Sequence, residues 1–177
     1  MMRKLFWEVW LEDERKSDED FDKYIETKKI KLETEVKELV EGHLQKAMHN
    51  LKFVKSTIEL EEFNDWAVVS AYYAIYHAAL ALCALKGYAT KDHNATLLVL
   101  IREFYKKDLN EEEIGLIGDT TLQKEEVLHY VEAKTKRHNA SYSTQVDFEK
   151  SHVEFLRLKA ISFVSKARDI VENSAIR

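Results

Sequence analysis

The chain contains no proline and only four glycines. Both residues are the usual punctuation of turns and strands, so their scarcity predicts long, uninterrupted helices. A single cysteine, Cys83, excludes an internal disulfide and a cysteine-based metal site. The opening stretch, MMRKLFWEVWLEDERKS, has an apolar run too short and too quickly followed by acids for a signal peptide. A cytoplasmic protein is therefore expected. For the same reason the sequons at Asn94-Ala-Thr96 and Asn139-Ala-Ser141 read as coincidence. The sequence also lacks a phosphate-cradling glycine loop, a nucleophile elbow and a cysteine nucleophile with a convincing partner.

What remains is ample for one folded domain. Of 177 residues, 45% are hydrophobic and 33% charged, which excludes disordered and fibrous classes. The net charge of −5 argues against indiscriminate nucleic-acid binding, but it is unevenly spread. Residues 134–177 hold nine Lys/Arg against five Asp/Glu, a balance of +4, leaving −9 for residues 1–133. A basic face on an acidic chain suits a short RNA or a nucleotide, although random surface imbalance gives the same numbers.

Apolar residues at Leu32, Val36, Val40, Leu44, Ala47, Leu51, Val54 and Ile58 recur in steps of three and four, the mark of an amphipathic helix. A second helix is expected from an Asn64 N-cap to Gly87, and a third from about Asp92 to Lys107. Residues 110–119 read as an acidic, glycine-containing connector with at most one helical turn. A fourth helix is expected over about 122–140, and a fifth after a capping signal at Ser143, Thr144 and Asp147. The fold class predicted is all-α: an antiparallel up-and-down bundle of four to five helices over residues 35–177. Residues 1–34 are expected to form a partly helical N-terminal extension. Within them Leu5, Trp7, Val9 and Leu11 alternate like a strand, while Phe6 and Trp10 fit a helix.

From Trp66 to Leu85 no Asp, Glu, Lys or Arg occurs, a run long enough to span a bilayer. Its alanines, Ser70, His77 and three tyrosines (Tyr72, Tyr73 and Tyr76) point instead to a central core helix, and no membrane association is expected. On that helix Tyr73 and His77 lie four apart and share a face. A buried imidazole needs hydrogen-bond partners, which phenols supply, so the pair is either a satisfied core histidine or the lining of a cleft.

Two Glu-x-x-His pairs, Glu126/His129 and Glu149/His152, have the form used in di-iron bundles. On antiparallel neighbouring helices they would lie about 20–25 Å apart, so no shared metal is expected. The stretch KTKRHNASY, residues 134–142, is more informative. Helical spacing lets Lys134, Arg137 and His138 project together. Cations at a helix C-terminus complement the backbone dipole, which is one account of them. The other is chemical: a guanidinium fork holds phosphate and an imidazole exchanges protons near neutral pH.

Two segments together resemble the HEPN domain, a family of helical bundles. The first is Ser70-Ala-Tyr-Tyr-Ala-Ile-Tyr-His-Ala-Ala79, followed by Leu80 to Gly87 and Lys91-Asp-His93; the second is Arg137-His-Asn-Ala-Ser-Tyr142. The resemblance covers roughly residues 40–172. It implies a bundle that commonly dimerises, with an arginine motif near the shared interface. Many members are metal-independent ribonucleases, often toxins neutralised by a small nucleotidyltransferase partner; no cofactor is implied. Arg137 matches the family's arginine and His138 the polar position beside it. Tyr142 stands where those ribonucleases carry a histidine, and at a pKa near 10 it is a poor general base. The resemblance therefore implies an RNA- or nucleotide-binding homodimer with Arg137, His138 and Tyr142 as candidate catalytic residues and Lys134, Tyr73 and His77 as binding residues. The alternative is a dimeric interaction module whose HEPN site is degenerate.

Overall fold

The computed structural model describes residues 7–60, 63–119 and 149–175. They form an all-α bundle with a small two-stranded ribbon. In chain order come α1 (Glu8–Glu12), α2 (Glu14–Glu26), β1 (Ile30–Leu32), α3 (Val36–Ile58), α4 (Asn64–Leu85), β2 (Tyr88–Thr90), α5 (His93–Phe104), α6 (residues 111–119) and α7 (Lys150–Ala175).

Helix α4 is the axle of the fold. It packs against α3 and α7, and α3 also touches α7, so three long helices share one core. Fourteen of its residues are buried, among them Ala67, Ala71, Ala74, Ala78 and Ala81. Alanine at these positions lets neighbouring helix axes approach closely, because their spacing follows side-chain size. The helix is long and apolar enough to cross a membrane, but 72% of its most apolar window is buried inside the fold. That burial is the signature of a core helix.

Gly87 ends α4 with a φ of +78°. Its N–H donates to Ala84 at 2.8 Å, and its carbonyl accepts the Glu33 N–H at 2.8 Å. A left-handed residue at this position closes the helix and redirects the chain, and glycine adopts that conformation without a Cβ penalty. The chain then enters β2, which pairs antiparallel with β1: Ile30 opposite Thr90, Lys31 opposite Ala89 and Leu32 opposite Tyr88. Leu32 is thus a strand residue, 77% exposed, and α3 begins at Val36 instead of Leu32.

The N-terminal residues are packed onto this frame. Trp7, Trp10, Phe21 and Ile30 join the same buried cluster as the α4 and α5 side chains. Arg102 of α5 lies over the Phe21 ring at 4.0 Å and pairs with Asp18 at 3.4 Å. Residues 111–119, expected as a connector, are helical throughout. Their glycines form a notch for the Trp7 indole: a Cβ at Gly118 would fall 2.5 Å from its Nε1, and one at Gly115 would fall 3.5 Å from its rim.

Candidate functional site

Helix α5 begins at an Asp92 cap, whose carboxylate accepts the Ala95 N–H at 2.8 Å and pairs with Lys29 at 3.2 Å. Satisfying one of the orphan helix donors in this way fixes the start of α5. His93, the next residue, is thereby placed against Tyr76 of α4, with ring centroids 4.1 Å apart. The Tyr76 phenol hydrogen-bonds Thr96, and Thr96 shares a 2.7 Å hydroxyl contact with Thr90. Burial raises the Tyr76 pKa and the Thr96 hydrogen bond offsets part of that rise, so the phenol stays protonated at neutral pH.

On the α3 side a closer contact occurs. His43 Nδ1 and His77 Nδ1 lie 3.2 Å apart. His43 is fifteen residues before the end of α3 (58 − 43) and His77 thirteen after the start of α4 (77 − 64), so they meet across an antiparallel pair. Their ring centroids are 5.4 Å apart with planes inclined by 27°. The centroid separation exceeds the Nδ1 separation by 2.2 Å (5.4 − 3.2), close to the sum of two centre-to-nitrogen lengths. The rings therefore point nitrogen at nitrogen instead of lying face on face, the geometry of an imidazole–imidazole hydrogen bond. One Nδ1 carries the proton and the other accepts it.

His43 is half-buried, and its pKa is lowered, first by burial and then by Lys46. His43 is therefore neutral near pH 7. Tyr73 flanks His77 with centroids 6.3 Å apart, and Tyr76 does so at 6.2 Å. The structure thus brings together Tyr73 and His77, as their spacing predicts, and adds His43, Tyr76 and His93. His43 had a readable signal: it lies three after Val40 and four before Ala47, on the buried stripe of α3. A histidine inside an apolar stripe must find a polar partner on the facing helix.

Lys134, Arg137, His138 and Tyr142 lie outside the described residues. Asp119 and His152, which flank residues 120–148 in sequence, both line a cleft of about 340 Å³ together with Tyr72, Leu116, Phe155 and Lys159. Burial, and then the charge of Glu8, raises the Asp119 pKa. Among the described residues no three His, Cys, Asp or Glu side chains converge in a way that would hold a metal ion. What the imidazole–phenol cluster offers is a set of hydrogen-bonding nitrogens and hydroxyls and polarisable ring surface.

A family model described as the HEPN domain matches residues 40–173. That span contains most of α3, all of α4, β2, α5 and α6, and most of α7, and with them the whole imidazole–phenol cluster. The chain is also similar to a protein of Methanocaldococcus jannaschii named "putative toxin". The two are 27% identical over 138 residues, which cover 77% of this chain and 84% of the relative.

Proposed function

Because the chain belongs to the HEPN domain family, we propose that it is a toxin-like member acting on RNA or a nucleotide, as a metal-independent ribonuclease. Arg137 binds phosphate, Lys134 adds charge to that site, His138 moves a proton or binds phosphate, and Tyr142 positions the ligand. Tyr73 and His77 contribute to ligand binding. The observation that carries the reading is the 3.2 Å imidazole pair within the family-matched region, because RNA-backbone cleavage requires a proton carrier poised near neutrality. The name borne by the relative supports the toxin-like role. A cytoplasmic nucleotidyltransferase partner and a homodimer complete the proposal. The homodimer reading draws on exposed apolar side chains of α7: Phe155 and Leu158 are 56% and 55% exposed and Ile161 is 39% exposed.

A second reading, a non-catalytic dimeric interaction module, draws on Tyr142 standing at the family's histidine position. Incubation with mixed tRNA separates the two. Wild type is expected to cleave, and Arg137→Ala and His138→Ala to lose cleavage. If all three leave tRNA intact and calorimetry detects no nucleotide binding by wild type, the first reading is lost. Light scattering at micromolar concentration checks the dimer, and a monomer there removes the shared-interface site.

A further inference from the structure

We propose that the cleft between α2 and the turn after α5 binds a phosphate monoester that carries sugar hydroxyls, a sugar phosphate or a nucleoside monophosphate. The cleft has a volume of about 220 Å³, and its walls include Glu14, Ser17 and Asp18 of α2 and Tyr105, Lys106 and Lys107 of the turn. None of these residues belongs to the arginine motif, and the proposal does not depend on the ribonuclease reading.

The turn holds its two lysines on a fixed backbone. The Phe104 carbonyl accepts the N–H groups of Lys107, Asp108 and Leu109 at 3.1, 2.9 and 3.0 Å, and the Lys106 N–H donates to the Leu109 carbonyl at 2.9 Å. Leu109 is buried, which anchors the turn in the core. Lys106 has a φ of +62°, a left-handed conformation that disfavours any residue with a Cβ. The Tyr105 N–H donates to the Leu100 and Ile101 carbonyls. The last carbonyls of α5 are thus taken up by N–H groups, which offsets the negative end of the helix toward an anion.

The polar groups of the cleft differ in how they are engaged. Arg102, which also lines it, pairs with Asp18 at 3.4 Å and Glu103 at 3.8 Å and covers the Phe21 ring, so it ties α2 to α5. Among the described residues no carboxylate pairs with Lys106 or Lys107, and the Lys106 ammonium lies 5.2 Å from the Tyr105 ring centroid. Ser17 is only 4% exposed, yet its hydroxyl has no hydrogen-bond partner among the described residues. A buried hydroxyl in that state marks a place where a ligand completes the bonding. Two ammonium groups on one wall hold a phosphate as point charges. On the other wall the Glu14 carboxylate accepts from hydroxyls, and Ser17 both donates and accepts. A bare anion would meet the like charge of Glu14 and Asp18. A molecule with phosphate at one end and hydroxyls at the other matches both walls.

The test titrates the full chain by calorimetry with ribose 5-phosphate, AMP, inorganic phosphate and ribose. Ribose 5-phosphate is expected to bind more tightly than inorganic phosphate, and ribose alone not to bind measurably. Tighter binding of AMP than of ribose 5-phosphate identifies a nucleotide, and equal binding identifies the phosphorylated sugar; either supports the cleft. Lys106→Ala and Lys107→Ala are each expected to weaken ribose 5-phosphate about 10-fold, the scale of a charge-assisted hydrogen bond. Glu14→Ala is expected to weaken ribose 5-phosphate while inorganic phosphate binds as tightly or more so. Independently of any variant's folding, ribose 5-phosphate is expected to shift the ¹H–¹⁵N amide signals of Ser17, Lys106 and Lys107 in wild type. Absence of binding by both monoesters at millimolar concentration overturns the proposal, as does binding that both lysine variants leave unchanged. Binding lost in Arg137→Ala and kept in the lysine variants places the phosphate at the arginine motif, which overturns the cleft and leaves the ribonuclease reading standing.

Discussion

Substituting Gly118 with alanine is an unusually sharp probe of how the N-terminal residues are held. Gly118 has no left-handed backbone requirement, so alanine in isolation would favour helix α6 by about 1 kcal/mol. The added Cβ, however, would sit 2.5 Å from Trp7 Nε1 and 2.8 Å from Cε2, inside any real van der Waals contact. Trp7 is buried and rigid, and its indole must move as a unit, which places the clash in the overpacking range of about 1–3 kcal/mol. The sum is a net loss of up to about 2 kcal/mol in the wild-type background. In a Trp7→Ala background the notch is empty, and Gly118→Ala should instead stabilise by about 1 kcal/mol. The two substitutions are thus coupled by about 1–3 kcal/mol with a reversal of sign. Urea unfolding followed by circular dichroism at the helical band measures all four corners of the cycle. An equal stabilisation by Gly118→Ala in both backgrounds would show that Trp7 does not occupy the notch and would refute the packing argument.

Three further outcomes follow from individual contacts. Asp92→Ala removes the α5 cap and the Lys29 pair, and should cost about 1–2 kcal/mol in thermal or urea unfolding, whereas Asp92→Asn, which keeps a capping oxygen, should cost less. Cys83 is fully buried and its thiol pKa is pushed well above the usual range, so it should resist a thiol reagent in the native state and react only in denaturant; native labelling at the rate of free cysteine would contradict that burial. Because the folded His43 pKa is lowered below the unfolded value of about 6.5, the unfolded chain takes up its proton first as pH falls. Stability should then decline as pH drops through that unfolded value and level off below the folded one, and His43→Gln should flatten this part of the stability profile; an unchanged profile would mean that His43 is not held neutral.

Helices carried their own evidence in the sequence, and the tight contacts did not. The three-and-four spacing from Leu32 to Ile58 located α3 apart from its start, where Leu32 belongs to the ribbon, because an amphipathic helix writes its buried face into local order. The ribbon escaped notice because each strand is three residues long and its partner lies beyond α3 and α4. No periodicity can develop in so short a segment. Gly115 and Gly118 read as loop signals, yet their lack of side chains serves close approach by Trp7. Local sequence cannot distinguish a glycine needed for its backbone freedom from one needed for its absent volume. At the candidate site, Tyr73 and His77 were visible as an i, i+4 pair, and His43 was legible as a histidine on the apolar stripe of α3, but its pairing with His77 required knowing how α3 and α4 are set side by side.

That meeting depends on the alanines. Ala47, one turn after His43 on α3, is wholly buried, and so are Ala74 and Ala78 on either side of His77 on α4. Helices that pack through such small residues approach more closely than helices that pack through leucine. An imidazole on each helix can then span the gap, and its nitrogen arrives within hydrogen-bond distance of the other. Wider helix separation would leave two half-buried imidazoles without each other, and a buried polar group without a partner costs about 1–3 kcal/mol. The alanine-rich core of α4 is therefore more than a consequence of dense packing. It sets the distance at which a proton can be shared between α3 and α4, and so it ties the composition of an apolar helix to a polar contact on its flank.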